Sequence, residues 1–113
     1  MDISVVVPLY NEQESLPELM AWIDQVLSKR DYEVIFVDDG SRDDSWSVIS
    51  ELYATYSNKV KAIRFARNYG KSAGLQKGFE AASGKVVFTM DADLLDFITV
   101  EISEHLSGHL SIL

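Results

Sequence analysis

Four short apolar runs punctuate the chain: Ile3 to Val7, Glu33 to Val37, Val60 to Phe65 and Lys85 to Met90. Each is rich in Val, Ile or Phe and nearly continuous in apolar character. That is the pattern of strands buried on both faces of a parallel sheet, where an alternating pattern would mark a wet face. Between the runs the period lengthens to that of a helix. Leu16, Leu19, Met20, Ile23, Val26 and Leu27 trace one apolar face behind Ser15-Leu16-Pro17-Glu18, which reads as a capping box with proline in the first turn. A second helix is predicted to start near Asp43 or Asp44 and to bury Trp46, Ile49, Leu52, Tyr53 and Tyr56. A third is predicted from about Ser72 to Ala82, ending at Ser83-Gly84, with Gly74 and Gly78 one turn apart so that it can lie close against the sheet.

Strand and helix alternate throughout this stretch, which predicts an α/β fold: a Rossmann-like parallel sheet with helices on both faces, joined by right-handed crossovers. The expected strand order is 3-2-1-4, because it sets the segments after the first and fourth strands face to face across the switch point. Residues 95–113 read differently. Leu95, Ile98, Ile102, Leu106, Leu110 and Leu113 form a helical stripe. The expected division is therefore 1–94 as one α/β unit and 95–113 as a helical tail, whose uncovered apolar stripe would either fold back over the sheet or pair two chains, with a homodimer favoured.

A chain of 113 residues makes one small domain with a real core. It has no cysteine, which excludes a disulfide scaffold and a thiolate metal site and fits a reducing compartment. The apolar runs are too short to span a bilayer, and Met1-Asp2 leads directly into a strand with no signal peptide visible. The net charge of −8 argues against nucleic acid as a partner. Seven of the ten basic residues nevertheless lie between Lys59 and Lys85, with Glu80 the only acid among them. Such a segment either serves a localised anion such as a diphosphate or forms an ordinary solvated face.

Every predicted strand ends in unusual polar residues. Pro8-Leu9-Tyr10-Asn11-Glu12 follows the first, Asp38-Asp39-Gly40-Ser41 the second, Arg67-Asn68-Tyr69-Gly70-Lys71 the third and Asp91-Ala92-Asp93 the fourth. Parallel strands bring all four to the edge where α/β sheets bind ligands. Asp91 and Asp93 alternate, so their carboxylates leave the strand on one side, where they suit Mg²⁺ or Mn²⁺ bridging to phosphates; the plainer alternative is a strand-end turn. Asp38-Asp39-Gly40-Ser41 is either a turn or a partner for a base N–H or ribose hydroxyl, and Tyr10 either stacks on a base or packs at the sheet edge. Gly70-Lys71-Ser72 resembles the tail of a P-loop, but Phe65 stands where that loop needs its first glycine. His105 and His109 lie one helical turn apart without a clear third ligand and read as surface histidines.

Taken together, Val5-Val6-Val7-Pro8-Leu9-Tyr10-Asn11-Glu12, Val37-Asp38-Asp39-Gly40-Ser41, Arg67-Asn68-Tyr69-Gly70-Lys71 and Met90-Asp91-Ala92-Asp93-Leu94 resemble the family 2 glycosyltransferases of the GT-A fold. The similarity is strongest to the branch of dolichyl-phosphate mannosyltransferase and the bacterial undecaprenyl-phosphate sugar transferases, and covers residues 3–94. It implies the nucleotide-sugar-binding half of an inverting, metal-dependent enzyme that moves a hexose from a UDP- or GDP-sugar to a polyprenyl phosphate. By that resemblance Pro8, Tyr10, Asn11 and Glu12 line the nucleoside pocket, Asp39 meets the base and Asp38 supports its turn. Asn68 and Lys71 lie on the diphosphate side, Asp91 contacts ribose or metal, and Asp93 is a direct ligand of Mg²⁺ or Mn²⁺. The implied location is cytoplasmic, free or peripheral at the cytoplasmic face of the membrane.

The resemblance lapses after Leu94. The lipid-phosphate branch continues with a glutamine ligand, whereas Leu95-Asp96-Phe97 stands here. A truncated or naturally shortened form is therefore expected, with metal-dependent nucleotide binding weaker than in full-length relatives and no measurable transfer of its own. Two rivals remain: a non-catalytic nucleotide-binding module acting through self-association or a partner, and a phospho-acceptor signalling domain of flavodoxin-like fold. The second leaves Arg67-Asn68-Tyr69-Gly70-Lys71 unexplained.

Overall fold

A computed structural model describes residues 1–93 and the backbone of residues 100–104. Strands β1 (Ile3–Leu9), β2 (Tyr32–Asp38), β3 (Val60–Arg64), β4 (Val86–Met90) and β5 (Val100–Glu104) form one sheet in the order β3-β2-β1-β4-β5. The first four run parallel, as the apolar runs predict. Helices α1 (Leu16–Leu27), α2 (Ser45–Thr55) and α3 (Lys71–Ala81) fill the crossovers. Register brings Leu9 opposite Asp38, and Asp38 opposite Arg64, so the central strands end nearly level.

Alternation of side chains along the strands divides the core in two. Val5, Val7, Val34 and Phe36 face α1 and α2, where Leu16, Leu19, Met20, Ile23, Ile49 and Leu52 cover them. Val6, Ile35, Val37 and Val87 face α3, packed by Leu75 and Phe79. Helices thus lie on both faces. The two glycines of α3 explain its close approach: a Cβ at Gly78 would collide with the Val6 side chain, and one at Gly74 would sit 3.2 Å from Pro8 Cβ.

The amino edge of the sheet is closed by a buried polar network. Glu33, 3% exposed, accepts hydrogen bonds at Oε2 from Ser4 Oγ (2.6 Å) and the Ser83 backbone N–H (2.6 Å), and pairs at Oε1 with Lys61 Nζ (2.8 Å). Lys61 also donates to Ala81 O at 2.9 Å, and Ser4 Oγ accepts from Gly84 N at 2.8 Å. Three strands and the turn before β4 are tied together there. Burial pushes the Glu33 carboxyl up, but the hydrogen bonds and the Lys61 charge outweigh it and hold the group below the ordinary glutamate value.

Three expectations need correction. The capping box does not form: Ser15 already has helical angles (φ −84, ψ −25), so its hydroxyl is not aimed at the first-turn N–H groups, and it donates to Glu12 Oε2 at 3.4 Å instead. Tyr53 is exposed on α2, as is Val26 on α1. Val100–Glu104 is a strand antiparallel to β4, with Val100 opposite Met90 and Glu104 opposite Val86, where a helix was expected. Val100 and Ile102 alternate with Glu101 and Ser103, so the segment also satisfies a period of two. The open edge of β4 offers it ladder hydrogen bonds, and context of this kind decides ambiguous runs. Leu95, Ile98, Leu106, Leu110, Leu113, His105 and His109 lie outside the described residues. Among the described residues no helix is long and apolar enough to cross a membrane.

Candidate functional site

At the carboxyl edge the loops after β1 and β2 are stitched together before any ligand is considered. Asn11 adopts the left-handed region (φ 53), which asparagine tolerates better than most residues. In that conformation its N–H donates to Ser41 Oγ at 2.8 Å, while Oδ1 accepts from the backbone of Arg42 (2.9 Å) and Asp43 (3.3 Å). Glu12 N donates to Ser45 Oγ at 3.0 Å, and Gln13 Oε1 accepts from Asp44 N at 2.8 Å. Asp38, fully buried, accepts from Ser41 N at Oδ1 (2.8 Å), and no hydrogen bond reaches its Oδ2 among the described residues.

Behind this frame opens a cavity of about 420 Å³, of the size small-molecule sites commonly have. Pro8, Tyr10 and Glu12 line it from the β1 end and Asp39 from the β2 end. Asn68 and Lys71 enter from the loop after β3, and Asp91 and Asp93 from the end of β4. All four strand-end segments therefore meet in one space. Of the residues singled out in the sequence, Asn11 and Asp38 do not line it: the first joins the two loops, the second braces the turn beneath Asp39.

Asp39 is 5% exposed and bridges to the loop after β3. Its Oδ1 accepts from Tyr69 N at 2.7 Å and its Oδ2 from Gly70 N at 2.9 Å. Next to it, Gly40 (φ +75) leaves no room for a side chain, since a Cβ there would run into the backbone of Arg67 and Asn68. Gly70 (φ +100) precedes α3, whose first turn has no side-chain cap. Lys71, the first residue of that helix, reaches across to Asp91 Oδ1 at 2.8 Å.

The charges are unevenly compensated. Burial pushes the Glu12 carboxyl up and the neighbouring Asp93 charge adds to it, against a lowering hydrogen bond from Ser15, with Asp43 again raising. The basic stretch from Lys59 to Lys85 does not converge on the cavity. Lys59 lies over the Tyr32 ring, Arg64 over Trp46 and Arg67 over Tyr69; Lys61 serves Glu33, and Lys77 pairs with Glu80. Lys71 is the member of that stretch that lines it.

Among the described residues no group of three or more His, Cys, Asp or Glu side chains could hold a metal ion unaided. Asp91 and Asp93 nonetheless supply hard carboxylate oxygens, and Asp91 already draws a cation, the Lys71 ammonium. This donor set fits Mg²⁺ or Mn²⁺ that completes its shell with phosphate oxygens and water, the usual way such ions are held beside nucleotides. Sequence reasoning placed Ser41 in a strand-end motif and Asp43 at a helix start, but missed that these two and Ser45 hold the loops together. Their signal was the spacing of Asp43 before Ser45, a local side-chain-to-backbone pattern in which Asp43 Oδ1 accepts from Ser45 N at 2.9 Å.

The pattern of the family described as Glycosyl transferase family 2 matches residues 4–99. An undecaprenyl-phosphate 4-deoxy-4-formamido-L-arabinose transferase of Pseudomonas fluorescens is 46% identical over 94 residues, which is 81% of this chain and 28% of that protein. The chain thus spans less than a third of that curated relative. Among solved structures, a mannosyltransferase from Pyrobaculum calidifontis in complex with GDP-Man and Mn²⁺ superposes with a TM-score of 0.70 at 28% identity, over 80% of this chain and 27% of the other. A fragment of S. aureus TarS in complex with UDP-GlcNAc gives 0.66 at 31% identity, over 82% of this chain and 27% of the other.

Proposed function

The chain belongs to glycosyl transferase family 2, and from that premise we propose that it is the half of a sugar transferase that binds a nucleoside-diphosphate sugar, whose hexose goes to a polyprenyl phosphate. The observation that carries this reading is the convergence of four strand-end segments on one cavity whose chemistry changes across its width. Tyr10, Pro8 and Asp39 offer a flat apolar surface beside a carboxylate, which suits a base and ribose. Lys71 and the uncapped first turn of α3 offer positive charge, which suits a diphosphate. Asp91 and Asp93 would hold the divalent cation. When bound, that cation supplies charge neutralisation on the leaving diphosphate.

The chain's own residues then have simple tasks: to hold the nucleoside, to align the diphosphate and to keep Asp91 and Asp93 together. No general base is needed, because a lipid phosphate attacks the anomeric carbon already ionised. Similarity to undecaprenyl-phosphate transferases supports the acceptor, and the nucleotide sugars named for the two solved structures support the donor class.

The test is equilibrium dialysis of the purified chain with radiolabelled UDP- and GDP-hexoses, with and without Mn²⁺, followed by incubation with undecaprenyl phosphate. Metal-dependent retention of label and none in the organic phase is the expected result, since Leu95 stands where the family resemblance implies a glutamine ligand. Failure to retain either nucleotide sugar would remove the proposal. Label in the organic phase would show that these residues suffice for transfer.

A further inference from the structure

We infer that Asp39 is a positioning residue: its carboxylate clamps the N–H groups of Tyr69 and Gly70 and thereby sets Lys71 and the first turn of α3 against Asp91. The inference rests on the reading above, in which the cavity takes a nucleoside diphosphate. It assigns Asp39 to the phosphate half of the ligand, through Lys71, as well as to the nucleoside half that its place in the cavity suggests.

The geometry is specific. Two successive backbone N–H groups point at one buried carboxylate, at 2.7 and 2.9 Å, one to each oxygen. Gly70, the second donor of the pair and the residue before α3, is at φ +100, an angle that favours glycine. Only a carboxylate offers two acceptors at this spacing; an asparagine would turn its own N–H₂ toward one of the donors. Gly40 lets the backbone of Arg67 and Asn68 press against the same turn, so the two loops meet without a gap.

The next residue along the chain is Lys71, whose ammonium is 2.8 Å from Asp91 Oδ1. That ion pair is exposed and weak by itself, so it cannot hold the loop. The body of α3 is fixed separately, by Gly74 and Gly78 against Pro8 and Val6. Loss of Asp39 therefore frees the start of α3 and not the whole helix. Cost and consequence are local.

Pyrophosphate with Mn²⁺ separates the clamp from a base acceptor, because pyrophosphate has no base to meet. If Asp39 positions Lys71, Asp39→Ala lowers the affinity for Mn²⁺–pyrophosphate by about tenfold, the worth of one charge-assisted hydrogen bond. Lys71→Ala lowers it by a similar factor, and the double variant loses little more than either single one, because both remove the same contact. Asp39→Asn, which keeps one acceptor, falls between wild type and Asp39→Ala and serves as the reading if Asp39→Ala does not fold. The amide signals of Tyr69 and Gly70 in nitrogen–proton spectra should move in both variants, while those of Leu75 to Ala81 stay in place. Unchanged pyrophosphate affinity in a folded Asp39 variant, or additive losses in the double variant, overturns the inference. If the wild type binds neither pyrophosphate nor nucleotide, the functional reading fails and the Tyr69 and Gly70 amide signals alone decide the clamp.

Discussion

The amino edge of the sheet holds one buried carboxylate and the carboxyl edge gathers several, and the two edges treat them differently. At the amino edge Glu33 meets Ser4, the Ser83 backbone and Lys61, so that both oxygens are satisfied and the group is driven below its ordinary value. At the carboxyl edge Asp39 is satisfied by two backbone N–H groups, but Glu12, Asp91 and Asp93 share the cavity beside it, and Glu12 is driven up by burial and by the Asp93 charge. A satisfied buried carboxylate holds strands together. Carboxylates crowded beside an open space hold something else, at some expense to the fold. The contrast predicts that damage at one edge appears as lost stability and damage at the other as lost binding.

The largest expected effect lies at the amino edge. Lys61→Met removes the cation but leaves Glu33 buried, and should cost about 1–2 kcal/mol of unfolding free energy, less than for a fully buried pair because the Lys61 side chain is half-exposed and screened by water. Nucleotide affinity should not change. Denaturant titration and calorimetry on the same preparation check both halves, and equal losses in stability and affinity would break the contrast.

The mirror-image variant is Lys71→Met. Its pair with Asp91 is largely exposed, so stability should move by no more than about 0.5 kcal/mol, while affinity for a nucleoside diphosphate with Mn²⁺ should fall about tenfold. A large loss of stability with intact binding would reverse the assignment of the two edges.

Much of this was legible in the sequence. The apolar runs placed the four parallel strands, the need for the first and fourth strand ends to face each other set their order, and the polar residues after them placed the cavity lining. Other features were hidden for physical reasons. Asp39 looks like a turn aspartate, because nothing in Val37-Asp38-Asp39-Gly40 tells that its oxygens face backbone donors some thirty residues away. Glu33 reads as a flaw in an apolar strand, since Ser4, Lys61 and Ser83 become its partners only after the crossovers bring them together. Val100–Glu104 satisfies both a helical and a strand period, and the free edge of β4 decided between them. The clustered basic residues could have served one anion, but short strands and helices turn Lys59, Lys61, Arg64, Arg67, Lys71 and Lys77 to different partners.

A smaller effect sharpens the comparison through pH. Glu33 binds its proton less readily in the fold than in the unfolded chain. Its contribution is therefore fully present above the ordinary value of 4.5 and is lost as pH falls below it. Glu12 is shifted the other way from 4.5, so the folded state is disfavoured once pH rises through its elevated value. Glu33→Gln should therefore destabilise at neutral pH, with the deficit shrinking in acid. Glu12→Gln should stabilise slightly at neutral pH, and its gain should vanish in acid. Thermal melts of both variants between pH 3 and 8 read the two signs, and like signs would show that the edges are not opposed.

The most direct measurement is calorimetric titration of the chain with UDP, GDP and their hexose conjugates, with and without Mn²⁺, in wild type and in the Asp91→Asn, Asp93→Asn double variant. The expected result is binding of one nucleotide series that requires the cation, disappears in the double variant and survives Lys61→Met. No binding of any nucleotide, or binding indifferent to both the cation and the two carboxylates, would contradict a nucleotide-sugar site at the carboxyl edge.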